Sequence, residues 1–401
     1  MKILTIGQSP TLLNQYGRIH KTIIEELSQA ELPQDSVESL VWNHDIEYFL
    51  PTETNQHFYH TVTGPVKIHP FLDIKGQLPV FTFETMKKTQ PQVVITIGEY
   101  YETEFVSAIK SLYGHLFKWI AIVPLGEKHI SEDYGLNLSY ADVICVTTKQ
   151  GTQAIKNITG KGEYIPFGID SCTNLSKPDG FKLLCMGKNT QSSNLSVLID
   201  TAASVEIETT LHTNVHDLGG DYNLPFLIKK TGKSHLFSLP KRFVSLRDGY
   251  TQEEINQQYK SHHLIVDCSL QSVTGLTILE GMANGCIPVG MECGAIGEIM
   301  AEIPDQFRFM VEHIDFTIQR SEKACIINPK DLNRVLKNIK SMACDKQWLN
   351  NASNEVIGVA EKFSKEFFIK RIKETVEKIV TSNHSIAVDS FNTETDNGKC
   401  N

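Results

Sequence analysis

The sequence predicts an α/β protein with parallel sheets in two domains. Short Val- and Ile-rich runs alternate with helix-like spacing, the pattern of βαβ units. The alternation forms two similar series, separated by a Pro- and Gly-containing stretch, Tyr164–Asp170 (YIPFGID), and a polar run, Ser171–Gly180. At 401 residues the chain exceeds the ~100–200 residues of one typical domain.

In the first series, Met1–Gly7 reads as a buried strand, followed by a polar loop, Gly17 and helical spacing over Ile19–Leu27. Further strands are read at Pro91–Gly98 (PQVVITIG), with a helix after Glu99, at Lys118–Leu125 (KWIAIVPL) and at Ala141–Thr147 (ADVICVT), with a helix from about Lys149. The second series opens with FKLLCMG from Phe181, then a helix over Leu195–Ala203 and a strand from Glu208 (ETTLH). Phe243–Leu246 reads as a strand, Glu253–Tyr259 as a short helix and His263–Asp267 as a strand. A helix over Thr277–Asn284 and a strand over Ile287–Met291 follow. Ala352–Val380 reads as a long amphipathic helix or helix pair, and 381–401 as a polar, disordered tail.

Hydrophobic residues make up 41% and charged residues 21%, enough apolar material for two cores. A net charge of −9 gives no bulk attraction to nucleic acid or anionic membrane, though a local basic cleft stays open. Nine scattered cysteines show no CxxC pair and no Cys/His metal spacing, which reads as reduced thiols in a cytoplasmic protein without a metal. MKILTIG is too short and too soon polar for a signal peptide, and no apolar run nears the ~20 residues of a membrane span, so no integral membrane contact is expected. The Asn137 and Asn157 sequons then read as chance matches. Adjacent strand residues point oppositely, which argues against metal binding by His262 and His263. The YYETE run at Tyr100 reads better as a helix start than as an aromatic acceptor cleft. No GxSxG, Walker A or zinc motif appears, nor a dinucleotide fingerprint after the first strand.

The richest chemistry lies between Thr274 and Glu298. Gly275 opens a helix directly after a strand and loop, offering free N–H groups and the positive dipole end to a phosphate. Thr277 adds a hydroxyl, and Glu280 falls one turn in, where a carboxylate can accept from a ribose diol. Asn284-Gly285 ends the helix, Ile287-Pro288-Val289 begins the next strand, and GAIGE (Gly294–Glu298) turns into another helix. Taken as isolated spacing, an ordinary βαβ turn with a surface Glu fits equally well; the whole segment is more specific than its parts.

Gly275, Leu276, Glu280, Met282, Ala283, Gly285, Pro288 and Val289, then Gly294 or Gly297 and Glu298, resemble the signature of retaining GT-B glycosyltransferases of the GT4 type. YIPFGID, ADVICVTTKQGTQAI and FKLLCMGK resemble further segments of that family, collinear from the first strand to about residue 300 and weaker before residue 90. The resemblance implies two Rossmann-like domains facing across a cleft, with a C-terminal helix crossing back. It sets an acceptor-side domain at 1–172, a nucleotide-sugar domain at 173–355, the returning helix at 356–380 and the tail at 381–401. It implies a UDP- or GDP-sugar donor as substrate, no cofactor, and an acceptor that is a glycan, a small molecule or a modified DNA base. By the same resemblance Glu280 holds the ribose, and the Thr274–Thr277 turn, with the amides of Gly275, Leu276 and Thr277, meets the diphosphate. Lys188 stands where the family has an Arg for the diphosphate, Gly17 matches a glycine that admits the donor, and Arg247 lies in the loop bordering the nucleobase.

Three positions depart from the family. Ser272 replaces a Glu that contacts the sugar ring, and Ser193 replaces a Lys that pairs with the diphosphate. A charge-assisted hydrogen bond is worth roughly 1.5–3 kcal/mol, so donor affinity falls unless Lys149, Lys241, Arg242 or Arg247 compensates. Where a subgroup carries Pro-Leu-Asp-Gly, this chain has Pro124-Leu125-Gly126-Glu127, and Glu127 is the candidate carboxylate, one position late. These departures keep open a sugar-nucleotide binding protein without turnover, and an epimerase or hydrolase on the same fold.

Overall fold

The computed structural model describes residues 1–12, 14–29, 37–42, 57–62, 64–71, 78–99, 105–126, 130–170, 177–213, 220–241, 250–269, 272–317 and 323–381. Glu127, Arg242, Arg247, the Phe243–Leu246 run, Tyr100 to Glu104 and the tail beyond Thr381 lie outside these residues. The chain divides into two compact units: Met1–Ile165 joined by the helix residues from Phe368 on, and Pro166–Phe367.

The first unit holds an eight-stranded sheet. Its strands are β1 (Ile3–Gln8), β2 (Val37–Trp42), β3 (His57–Thr61), β4 (Gly64–Phe71), β5 (Val93–Ile97), β6 (Lys118–Val123), β7 (Val143–Val146) and β8 (Glu163–Tyr164). Their order is β3-β4-β2-β1-β5-β6-β7-β8, parallel throughout except for the β3–β4 hairpin. Every residue of β1 and β5 is buried, which is why both strands are mainly apolar without an alternating polar face. The first helix, Gln15–Ser28, starts earlier than the apolar spacing from Ile19 suggests, because Asn14 caps it by accepting from the Gly17 amide at 2.8 Å. The expected C-terminal element is a pair of helices, Lys346–Ala360 and Lys365–Thr381, separated by a short turn at Glu361–Phe363. The second of these returns to the first unit: it buries Phe368, Ile372 and Val376, and pairs Lys373 with Glu26 at 3.2 Å and Lys378 with Glu163 at 3.4 Å.

The second unit holds a six-stranded, wholly parallel sheet. Its strands are β9 (Lys182–Met186), β10 (Glu208–His212), β11 (Phe237–Ser238), β12 (Leu264–Asp267), β13 (Ile287–Met291) and β14 (Phe309–Val311), in the order β11-β10-β9-β12-β13-β14. An antiparallel hairpin, β15 (His313–Thr317) with β16 (Lys323–Ile327), follows it. Thr251 and Glu254 form a reciprocal capping box that starts the helix Gln252–Lys260. Both units are therefore doubly wound α/β sheets, as the two βα series predicted. Among the described residues, no helix is long and apolar enough to cross a membrane.

Candidate functional site

The strand order of the second unit creates a switch point. From β9 the chain moves outward through β10 to β11, then crosses back to β12 and moves outward through β13 to β14. The loops leaving β9 and β12 diverge and open a crevice at the carboxyl ends of the strands, where open α/β sheets take ligands. Lys188 lies in the loop after β9, and Gly275 in the loop after β12. The two loops are tied directly: Asn194 Nδ2 donates to the Cys268 carbonyl at 2.8 Å. Lys188 and the Thr274–Thr277 turn thus flank one crevice.

Gly275 has φ +64°, a left-handed conformation, and a Cβ there would run into Ile299 Cδ1. Both facts require glycine. The helix Leu276–Ala283 that it starts has no side-chain cap. The amides of Leu276, Thr277 and Ile278 therefore begin the helix without an intrahelical acceptor, at the positive end of its dipole. Such a terminus is suited to an anion.

Glu280 sits in the second turn, half-buried, and its Oε2 accepts from the Tyr259 hydroxyl at 3.0 Å. Tyr259 is 1% exposed. In the sequence Tyr259 stands at the end of a short helix, where no motif assigns it a role. The available signal was a lone aromatic ring closing a polar helix, QEEINQQYK, whose only buried residue it is.

The two departing serines have local work. Ser272 Oγ accepts from the Gly275 amide at 3.1 Å, and the Ser272 carbonyl accepts from the Ala295 amide at 2.9 Å. One residue thus fastens the starts of two helices. Ser193 Oγ donates to the Lys188 carbonyl at 2.7 Å and closes the loop after β9, while Lys188 itself is exposed. At the floor of the crevice, burial pushes the Asp267 carboxyl above its ordinary range, opposed by hydrogen bonds from Ser269.

Other candidates fall elsewhere. Gly17 lies in the first turn of its helix rather than in the preceding loop, and a Cβ there would sit 2.7 Å from the Ser9 carbonyl oxygen and 2.8 Å from that of Leu12. The chain's own loop thus accounts for this glycine. Lys149 starts the helix Lys149–Thr159 with its Nζ 5.8 Å from the centre of the Tyr164 ring, and Lys241 is exposed after β11. His262 and His263 are buried at the amino end of β12, the edge opposite the crevice. His262 Nε2 pairs with Thr210 Oγ1 at 2.8 Å, and burial holds the His263 imidazole down at about 4. Among the described residues, no group of three or more His, Cys, Asp or Glu side chains is placed to hold a metal ion.

No family model matches the chain, and no curated protein matches it in sequence. Solved structures do match its fold. A sucrose-phosphate synthase from Thermosynechococcus elongatus superposes with a TM-score of 0.73 at 12% identity, covering 95% of this chain and 100% of its own. HepE from Anabaena, solved with UDP and glucose, gives 0.67 at 14% identity, covering 94% and 100%. The catalytic domain of starch synthase IV from Arabidopsis thaliana, bound to ADP and acarbose, gives 0.64 at 12% identity, covering 95% and 99%. The chain has the fold of these GT-B proteins.

Proposed function

We propose that this protein is a retaining glycosyltransferase that moves a sugar from a nucleotide-diphosphate sugar, with UDP or GDP as the nucleotide, to an acceptor hydroxyl. The observation that carries the reading is the uncapped Gly275 helix start at a switch point, with the Glu280 carboxylate one turn behind it. Those amides match a diphosphate and that carboxylate a ribose diol. The UDP and ADP in two proteins of the same fold support this choice of ligand. In the proposed reaction the dipole and Lys188 stabilise the departing diphosphate, a role that needs no metal, and a diphosphate oxygen takes the acceptor proton. Rate enhancement then rests on positioning and on charge stabilisation of the leaving group.

A second reading, a nucleotide-sugar binding protein without turnover, is favoured by Ser272 and Ser193. Both spend their hydroxyls on loop hydrogen bonds where a sugar-contacting carboxylate and a second cation are absent. Thermal shift with UDP-, GDP- and ADP-sugars tests the binding step: the wild type is stabilised by at least one, and Glu280→Ala by none. Absence of any shift in the wild type, or an equal shift in both proteins, sinks the proposal. Binding of a labelled donor without turnover across glycan, small-molecule and modified-DNA acceptors selects the second reading.

A further inference from the structure

The geometry points to Tyr259 as the positioning residue for Glu280, holding that carboxylate in one rotamer so that it reads the ribose diol. This inference rests on the proposed ribose contact and adds to it a residue that acts through Glu280. A glutamate side chain loses rotamer freedom when a ligand must order it, and that loss shrinks if the protein orders it first. Tyr259 is built for that task. Its ring is buried, and its hydroxyl donates to Glu280 Oε2 at 3.0 Å.

The backbone of Tyr259 is anchored independently of its side chain. Its carbonyl accepts from Cys286 Sγ at 3.1 Å and from Lys177 Nζ at 3.0 Å. Cys286 follows directly on the helix that carries Glu280, and its amide donates to the Gly281 carbonyl at 2.8 Å. The Gln252–Lys260 helix is thus stapled to the Leu276–Ala283 helix at two points, one near the end of the latter and one at Glu280 itself. Lys177 thus sets a cation at the C-terminal end of the Gln252–Lys260 helix, and it donates also to the His262 carbonyl just beyond that end, a favourable charge at a helix C-terminus. The hydroxyl is therefore aimed by a fixed frame, and removing that one oxygen leaves the frame in place.

Tyr259→Phe is the decisive variant, because the ring and its packing stay. Calorimetric titration with UDP, GDP and ADP, each against its 2′-deoxy counterpart, compares wild type, Tyr259→Phe, Glu280→Gln and the double variant. The expected result is a loss of about tenfold in affinity for the ribonucleotide in Tyr259→Phe, with little change for the deoxynucleotide, so that discrimination between the sugars shrinks. Once Glu280 is Gln, the Tyr259→Phe change has a smaller effect than in the wild type, the sign of coupling within the pair. A purely structural role lowers the melting temperature and leaves the ribose-to-deoxyribose ratio at its wild-type value; that outcome overturns the inference while leaving the ribose contact intact if Glu280→Gln loses the discrimination. Unchanged discrimination in Glu280→Gln as well overturns both.

Discussion

The two units present the same kind of switch point with opposite chemistry. In the first unit it lies between β1 and β5, because the chain runs outward from β1 to β2 and later from β5 to β6. There the helix start is shut. Asn14 caps it, and the Asn14 amide is in turn held by Gln8 Oε1 at 2.8 Å. Tyr16 donates across the switch point to Glu99 Oε1, which follows β5, at 2.5 Å. Behind this edge His20 is fully buried, with Nδ1 2.7 Å from the Gln8 carbonyl and Nε2 2.9 Å from Thr5 Oγ1. A carbonyl only accepts, so Nδ1 carries the proton and Nε2 accepts. In the second unit the helix that follows β12, across the switch point from the loop after β9 that carries Lys188, starts on a left-handed glycine without a side-chain cap. One edge thus offers a carboxylate and a capped helix, and the other a helix whose Leu276, Thr277 and Ile278 amides lack an intrahelical acceptor, in a loop tied to the one that carries Lys188. A shared architecture provides two crevices, and a few residues at each give them different chemistry.

The largest effect expected from breaking this contrast is at Glu280. On the proposed ribose contact, Glu280→Ala removes two charge-assisted hydrogen bonds and is expected to lower nucleotide affinity by about a hundredfold or more, read by titration calorimetry. Next comes acid sensitivity of the first unit. Burial lowers the His20 pKa from 6.5 to about 4, so the folded state keeps this ring neutral while the unfolded chain protonates it. The stability from that neutral ring is present above pH 6.5 and is lost as the pH falls towards 4, by up to about 3 kcal/mol. Chemical denaturation across that range shows this slope, and His20→Gln flattens it. Lys188→Ala is expected to weaken nucleotide binding by about tenfold, more at low than at high salt, since the side chain is exposed. The smallest effect is that of uncapping the first unit: Asn14→Ala costs about 1 kcal/mol in thermal or denaturant unfolding and creates no second nucleotide site. Two equivalents of nucleotide bound by Asn14→Ala would show that capping alone separates the two crevices.

The parts of this fold that the sequence made legible are those buried on both faces. β1, β5, β6, β7, β12 and β13 carry Val and Ile, and β9 carries Leu, Cys and Met, because helices cover both sides of a parallel sheet. The β3–β4 hairpin was missed because its sequence, HFYHT and GPVKIHPF, mixes rings, charges and prolines at a sheet edge where one side faces water. The two-residue strands β8 and β11 are too short to carry any period. At the site, Gly275 and Glu280 stood out because one helix turn fixes their spacing. Tyr259 did not, since its bond to Glu280 joins residues 21 apart that only packing brings together. The bonds of Ser272 to two helix starts were illegible for the same reason: they depend on where the Gly294–Ala301 helix lands.

The return of the last helix to the first unit has a consequence for synthesis. The residues that complete that unit follow Pro166–Phe367 in the chain, so the ribosome delivers the whole second unit before them. At roughly 5–20 residues per second this interval lasts about 10–40 s. During it the nascent first unit lacks the cover of Phe368, Ile372 and Val376 and leaves apolar surface open to water. A chain ending at Phe367 holds a complete second unit and an unfinished first one, and the hazard of aggregation falls on the half made first.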